Sequence, residues 1–130
     1  MIHMSKQTDY AVQLLIALSK MKKGEYLSLR AFSEESNISF LFLQRIVRSL
    51  KEAGIVDANR GVHGGYYLVK DPKKVTLKDL MEAVEGRFGI TRCLKGQNCM
   101  RSKTCASKKV FTKVNREIEQ LLNSVSVLQA

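Results

Sequence analysis

The chain has 130 residues, 45% hydrophobic and 26% charged, enough for one folded domain with an apolar core and too few for two of ordinary size. Its 22 Lys and Arg against 12 Asp and Glu give a formal net charge of +10 and a pI near 9.7, above the value of about 9 that flags nucleic-acid-binding domains. No apolar run reaches the roughly 18 residues of a membrane span, and MIHMSKQTDY lacks the apolar stretch of a signal peptide, so a cytoplasmic location is expected.

Ala11, Leu14, Leu15, Leu18 and Met21 recur at helical spacing and predict a first helix over about Thr8 to Met21, with Thr8 or Asp9 as N-cap or first-turn acid. A short second helix follows an N-cap at Ser28, turns Leu29 and Phe32 inward and ends near Ser36 and Asn37. A third runs from Ser39 to Ala53, with Leu43, Ile46, Val47 and Leu50 on one face and Gly54 just past its end. Two helices joined by a tight turn, the second bearing donors outward, form the helix-turn-helix pattern.

The period then changes. IVDA and YYLV read as short strands separated by NRGVHGG, a hairpin whose tip carries three glycines, Arg60 and His63. Thr76 caps a fourth helix through about Val84, with Leu77, Leu80, Met81 and Val84 inward. Val110, Val114, Ile118, Leu121, Leu122, Val125 and Leu128 resume helical spacing in the tail. Such a stripe either folds back on its own domain or pairs with a second copy; we favour the pairing because symmetric dimers are the commonest oligomers. The expected fold is mainly α with a small β-hairpin. It comprises a winged helix-turn-helix domain over 1–85, a cysteine-rich cluster-binding loop over 86–106, and a dimerisation helix and tail over 107–130.

Placed in the major groove of double-stranded promoter DNA, the third helix would present Phe40, Leu41, Gln44, Arg45 and Arg48 to bases or phosphates. Arginine pairs with guanine and glutamine with adenine through two hydrogen bonds, and apolar side chains touch thymine methyls. Ser39 and the first turn offer backbone N–H groups to phosphate. Arg60 and His63 would reach the minor groove or the backbone beside it. A solvated helix face is the plain alternative for any one of these residues. The ordered set of short helix, turn, donor-bearing helix and basic hairpin makes DNA binding the stronger reading.

All three cysteines, Cys93, Cys99 and Cys105, fall in one polar stretch with identical gaps. An odd number in a reducing compartment argues against a disulfide framework. Three thiolates suit zinc, copper(I) or an iron-sulfur cluster, and the wide gaps fit a cluster better than one ion, since zinc sites usually use tight C-x2-C pairs. Lys95, Arg101, Lys103 and Lys108 would offset the charge of a thiolate-ligated cluster and favour the thiolates themselves.

SKQTDYAVQLL, the helix-turn-helix, RGVHGGYYL and C-x5-C-x5-C together resemble the Rrf-two family of bacterial transcription regulators, over nearly the whole chain and in the right order. The resemblance implies a homodimeric winged-helix repressor or activator whose long C-terminal helices form the dimer interface and whose cysteines hold an iron-sulfur cluster. IscR-like members carry a histidine three residues after the last cysteine as fourth ligand, where this chain has Lys108. NsrR-like members use an aspartate from the first helix of the other subunit, and Asp9 matches that position. The resemblance thus implies Cys93, Cys99, Cys105 and Asp9 as ligands, with a four-iron cluster ahead of a two-iron one. Asp9 equally reads as an ordinary first-turn acid. His3, near the terminus, and His63, at the wing, are not attractive ligands.

Two other readings remain at this point. One is a thiol- or zinc-based redox-sensing regulator without a cluster. The other, more remote, is a small redox enzyme or electron-transfer protein. The chain contains no activated nucleophile, phosphate-binding glycine loop or substrate-pocket motif, so an enzyme is not expected.

Overall fold

Residues 3–97 and 105–128 are described in a computed structural model. Helix α1 (Lys6–Ser19) is capped by Ser5, whose hydroxyl accepts from the Thr8 amide, so it begins and ends slightly earlier than the apolar spacing predicts. Thr8 is not a cap. It is buried, and its hydroxyl donates to the Glu85 carboxylate at the far end of the fourth helix. Asp9 remains as the exposed first-turn acid.

Helices α2 (Leu29–Ser36) and α3 (Phe40–Glu52) carry the expected serine caps, Ser28 and Ser39. Between them Asn37 takes the left-handed conformation (φ 61°), which turns the chain tightly enough to set α3 across α2. Leu43, Ile46, Val47 and Leu50 are all buried. They meet Ala11, Leu14, Leu15 and Leu18 of α1 in the main core, which Leu29, Ile55, Val56, Val75 and Leu80 complete. This α3 stripe is the expected one; its opposite face stays in solvent.

Strands β1 (Val56–Asn59) and β2 (Gly65–Leu68) pair antiparallel, with Val56 opposite Leu68 and Asn59 opposite Gly65. Leu27, just before α2, adds a further backbone bridge: its N–H donates to Tyr66 O and its carbonyl accepts from Tyr66 N–H, both at 2.9 Å. The two consecutive glycines exist for this crowding. A β-carbon on Gly65 would lie 2.9 Å from the Leu27 carbonyl carbon and closer still to its oxygen, and one on Gly64 would strike the Asn59 carbonyl. The hairpin is thereby sewn to the helix-turn-helix on one side, and its tip, Arg60 to His63, projects freely.

A short 3-10 turn (Pro72–Lys74) leads into α4 (Leu77–Glu85), which opens with a full capping box: Thr76 accepts from the Asp79 amide and Asp79 accepts from the Thr76 amide. Helix α5 (Lys108–Ser124) packs against α4. The expected helical stripe ends sooner than Leu128. After Ser124 the chain straightens, and Leu77 N–H donates to Val125 O while Val127 N–H donates to Val75 O. Val127 joins the core of the head. Among the described residues, no helix is long and apolar enough to cross a membrane.

Candidate nucleic-acid interface and cysteine segment

The outward face of α3 presents Leu41, Gln44, Arg45 and Arg48, all exposed. Leu41 is 61% exposed on a helix whose other large apolar residues are buried or half-buried. Together with Lys51, Val47 and Tyr66 they line a cleft of about 540 Å³ between α3 and the hairpin. Lys51 is steadied by Asp57 on β1 (Nζ–Oδ1 3.6 Å). Arg60 and His63 stand exposed at the wing tip, beside Val62, which is 97% exposed. The structure therefore brings Leu41, Gln44, Arg45 and Arg48 onto one face and sets Arg60 and His63 on the projecting tip of the same head.

Two other predicted contacts have partners within the protein. Ser39 caps α3, accepting from the Phe42 amide. Phe40 is half-buried, and the Arg30 guanidinium lies 4.3 Å from its ring centroid. Lys51 continues the outward face of Gln44, Arg45 and Arg48 that the helical spacing predicts, although it is not among the predicted contacts. Tyr66 and Arg30 carry no such signal, because their places depend on packing between elements.

The cysteine segment joins α4 to α5. Cys93 is half-buried in a turn in which Lys95 N–H donates to Thr91 O, Gly96 N–H to Cys93 O and Gln97 N–H to Arg92 O. Its Sγ lies 3.2 Å from Thr91 Oγ1. The root of this turn is fixed to α5: the buried Asn115 accepts from the Ile90 amide at 2.8 Å. Cys105, also half-buried, sits just before α5, with Sγ 3.1 Å from Ser107 Oγ. Ser107 makes no side-chain capping bond to the helix it precedes. Cys99, with Arg101 and Lys103, lies outside the described residues.

Asp9 accepts from Gln13 Nε2 (3.2 Å) and edges a shallow hollow of about 420 Å³ formed with Met4, Val12, Leu77, Val125 and Val127. Among the described residues, no three His, Cys, Asp or Glu side chains gather closely enough to hold a metal ion, so Asp9, Cys93 and Cys105 of one chain do not form such a group. Chemically the donors suit a soft metal centre: two thiols, each beside a hydroxyl, at the two ends of a segment that also contains Cys99.

The apolar arc of α5 divides between two environments. Leu122 is buried and Ile118 half-buried on the side towards α4. Val110 (63% exposed), Phe111, Val114 and Leu121 (62% exposed) remain open to solvent. Lys78 pairs with Glu82 one turn along α4 (3.3 Å) and, across the α4–α5 contact, with Glu119 (3.2 Å). These carboxylates, Glu119 first, raise the Lys78 pKa.

Comparison with known proteins agrees with this geometry. NsrR of Bacillus subtilis, an HTH-type transcriptional regulator, is 28% identical over 127 residues, covering 96% of this chain and 83% of that protein. The structure of CymR, the global cysteine regulator of B. subtilis, superposes with a TM-score of 0.77 at 24% identity, covering 98% of this chain and 94% of the other; at that identity the likeness shows the fold. IscR of T. potens gives a TM-score of 0.74 at 25% identity, over 97% and 83% of the two chains. A model of the Rrf2 family, described as iron-dependent transcriptional regulators, matches residues 4–130, and the chain belongs to that family: it is a winged-helix transcriptional regulator and not an enzyme.

Proposed function

We propose that this regulator senses its signal through an iron-sulfur cluster held by Cys93, Cys99 and Cys105 of one subunit and the partner subunit's Asp9, with four irons favoured over two. The observation that carries the reading is the position of the described cysteines: Cys93 and Cys105 flank the stretch between the DNA-reading head and α5. Bound there, a cluster supplies a centre that reacts with oxygen or nitric oxide and whose presence follows iron supply. Likeness to NsrR and IscR supports the assignment.

The chain's own residues do the rest. Gln44, Arg45 and Arg48, with Leu41, read the major groove, while Arg60 and His63 at the wing engage the adjacent minor groove or phosphates. Phe40 and Ser39 border this surface at the start of α3. Two copies associate through the exposed arc of Val110, Phe111, Val114 and Leu121, giving two heads whose spacing on DNA the dimer sets. The head through residue 85, the segment 86–106 and the helix and tail 107–130 thus divide reading, sensing and pairing. Because Asn115 ties the root of the Cys93 turn to α5, a group held by that turn constrains where α5 stands relative to the head. A ligand shifts such an equilibrium only by its differential affinity for the two arrangements, which a site shared between subunits provides.

Anaerobic purification with iron and sulfide analysis tests the reading, on wild type and Asp9→Ala. Iron and sulfide near four per subunit, destabilised in the variant, support it; two per subunit with no effect of the substitution removes Asp9 and the four-iron form. Absence of both would favour a second reading, a switch built on the thiols or on zinc. The grouping of all three cysteines in one segment and the likeness to CymR, a cysteine regulator, give that alternative its basis.

A further inference from the structure

Arg30 lies on α2, outside the set of donors on α3, yet its environment is unusual for a surface arginine. It is exposed, and its guanidinium is stacked over the ring of Phe40, the first residue of α3 (4.3 Å to the centroid). Among the described residues it forms no ion pair, not even with Glu34 one turn along the same helix. The ring packs against the guanidinium carbon, a contact that uses none of its N–H donors. Packing against the ring positions a fork whose geometry matches two oxygens of a phosphate, and removes part of the conformational freedom that a surface arginine otherwise loses on binding.

The position is also informative. The α2–α3 turn, made by Asn37, brings this cation to the N-terminal end of the recognition helix, where the helix dipole already favours an anion. In a helix-turn-helix the first helix crosses the DNA backbone while the second enters the groove. A fixed cation at their junction faces the rim of the groove and not the bases.

We propose that Arg30 binds a DNA backbone phosphate at the mouth of the major groove, and that Phe40 is a positioning residue which holds Arg30 for that interaction. This rests on the DNA-binding reading of the head. It also reassigns Phe40, whose ring faces a side chain of its own chain, from base contact to support.

The test is fluorescence anisotropy against a selected promoter duplex and a random-sequence duplex over a salt series. The proteins are wild type, Arg30→Ala, Phe40→Leu, Phe40→Tyr and the double variant of Arg30→Ala with Phe40→Leu; circular dichroism melts confirm folding. Arg30→Ala is expected to bind both duplexes about tenfold more weakly, with the logarithmic salt slope shallower by about 0.9, the value for one phosphate no longer neutralised. Phe40→Leu weakens binding about threefold when Arg30 is present and adds little in the Arg30→Ala background. Phe40→Tyr, which keeps a ring, retains the wild-type slope. An unchanged slope in Arg30→Ala overturns the inference. So does a Phe40→Leu effect of equal size with and without Arg30, or one confined to the promoter duplex, since either makes Phe40 an independent contact. Wild-type protein that binds neither duplex overturns the DNA-binding reading and this inference with it.

Discussion

Gly65→Ala tests the close approach that fastens the wing to the helix-turn-helix. The new methyl group would overlap the Leu27 carbonyl oxygen and stand 2.9 Å from its carbon, both backbone atoms that cannot rotate away. Relief requires Leu27 and Tyr66 to separate, which breaks the two 2.9 Å hydrogen bonds between them. Two backbone bonds at a net of about 1 kcal/mol each give about 2 kcal/mol, and residual overpacking adds about 1 kcal/mol, for a loss of roughly 3 kcal/mol. Urea unfolding followed by circular dichroism measures it, with Val62→Ala at the exposed wing tip as a control expected within about 0.5 kcal/mol of wild type. Because the same change displaces β2 and Tyr66 from the cleft beside α3, DNA affinity should fall further than global stability explains. A Gly65→Ala protein within about 0.5 kcal/mol of wild type would refute the reasoning, since the crowding that explains the paired glycines would then relax without cost.

Leu121→Glu places a charge in the exposed arc of α5 and should convert a dimer to monomers in sedimentation-velocity experiments while leaving the head folded, because Leu121 is not part of the core. Asn115→Ala leaves the Ile90 amide without its acceptor; a loss of about 1–2 kcal/mol and faster amide exchange over residues 90–97 are expected by hydrogen-exchange mass spectrometry. Lys78→Met should cost no more than about 1 kcal/mol, because the pairs with Glu82 and Glu119 are partly solvated. As these carboxylates raise the Lys78 pKa, their contribution is complete at neutral pH and fades only as pH climbs through and above the ordinary lysine range, which alkaline melts of wild type and variant can compare.

Local pattern carried most of the fold. The α3 stripe, its serine cap and the glycine-rich hairpin tip are each specified by residues near one another in sequence, and all appear in the structure. The errors came from long-range partners. Ser5, Thr8 and Asp9 are all acceptable near a helix start, and what separates them is Glu85, far along the chain, which takes the Thr8 hydroxyl. At the other end, Val125 and Leu128 continue the 3.6-residue spacing of α5, but VSV also alternates like a strand, and the open backbone of residues 75–77 decides in favour of pairing. The site divides the same way. Gln44, Arg45 and Arg48 follow from helical spacing, whereas the stacking of Arg30 on Phe40 needs the angle between α2 and α3. The spacing of the cysteines makes them legible as candidate donors, whereas the tie from Asn115 to the Ile90 amide, which fixes the root of the Cys93 turn to α5, has no local signature.

The most direct test of the account is the affinity for promoter DNA of one anaerobic preparation, measured before and after its iron is removed by chelation, alongside a variant carrying Cys93→Ser, Cys99→Ser and Cys105→Ser. The account predicts that iron removal changes affinity by about tenfold or more, and that the triple variant is fixed at the iron-free value and does not respond to the treatment. Equal affinity before and after, in protein shown to contain iron and sulfide at the start, would contradict control of the DNA-reading head by the cysteine segment.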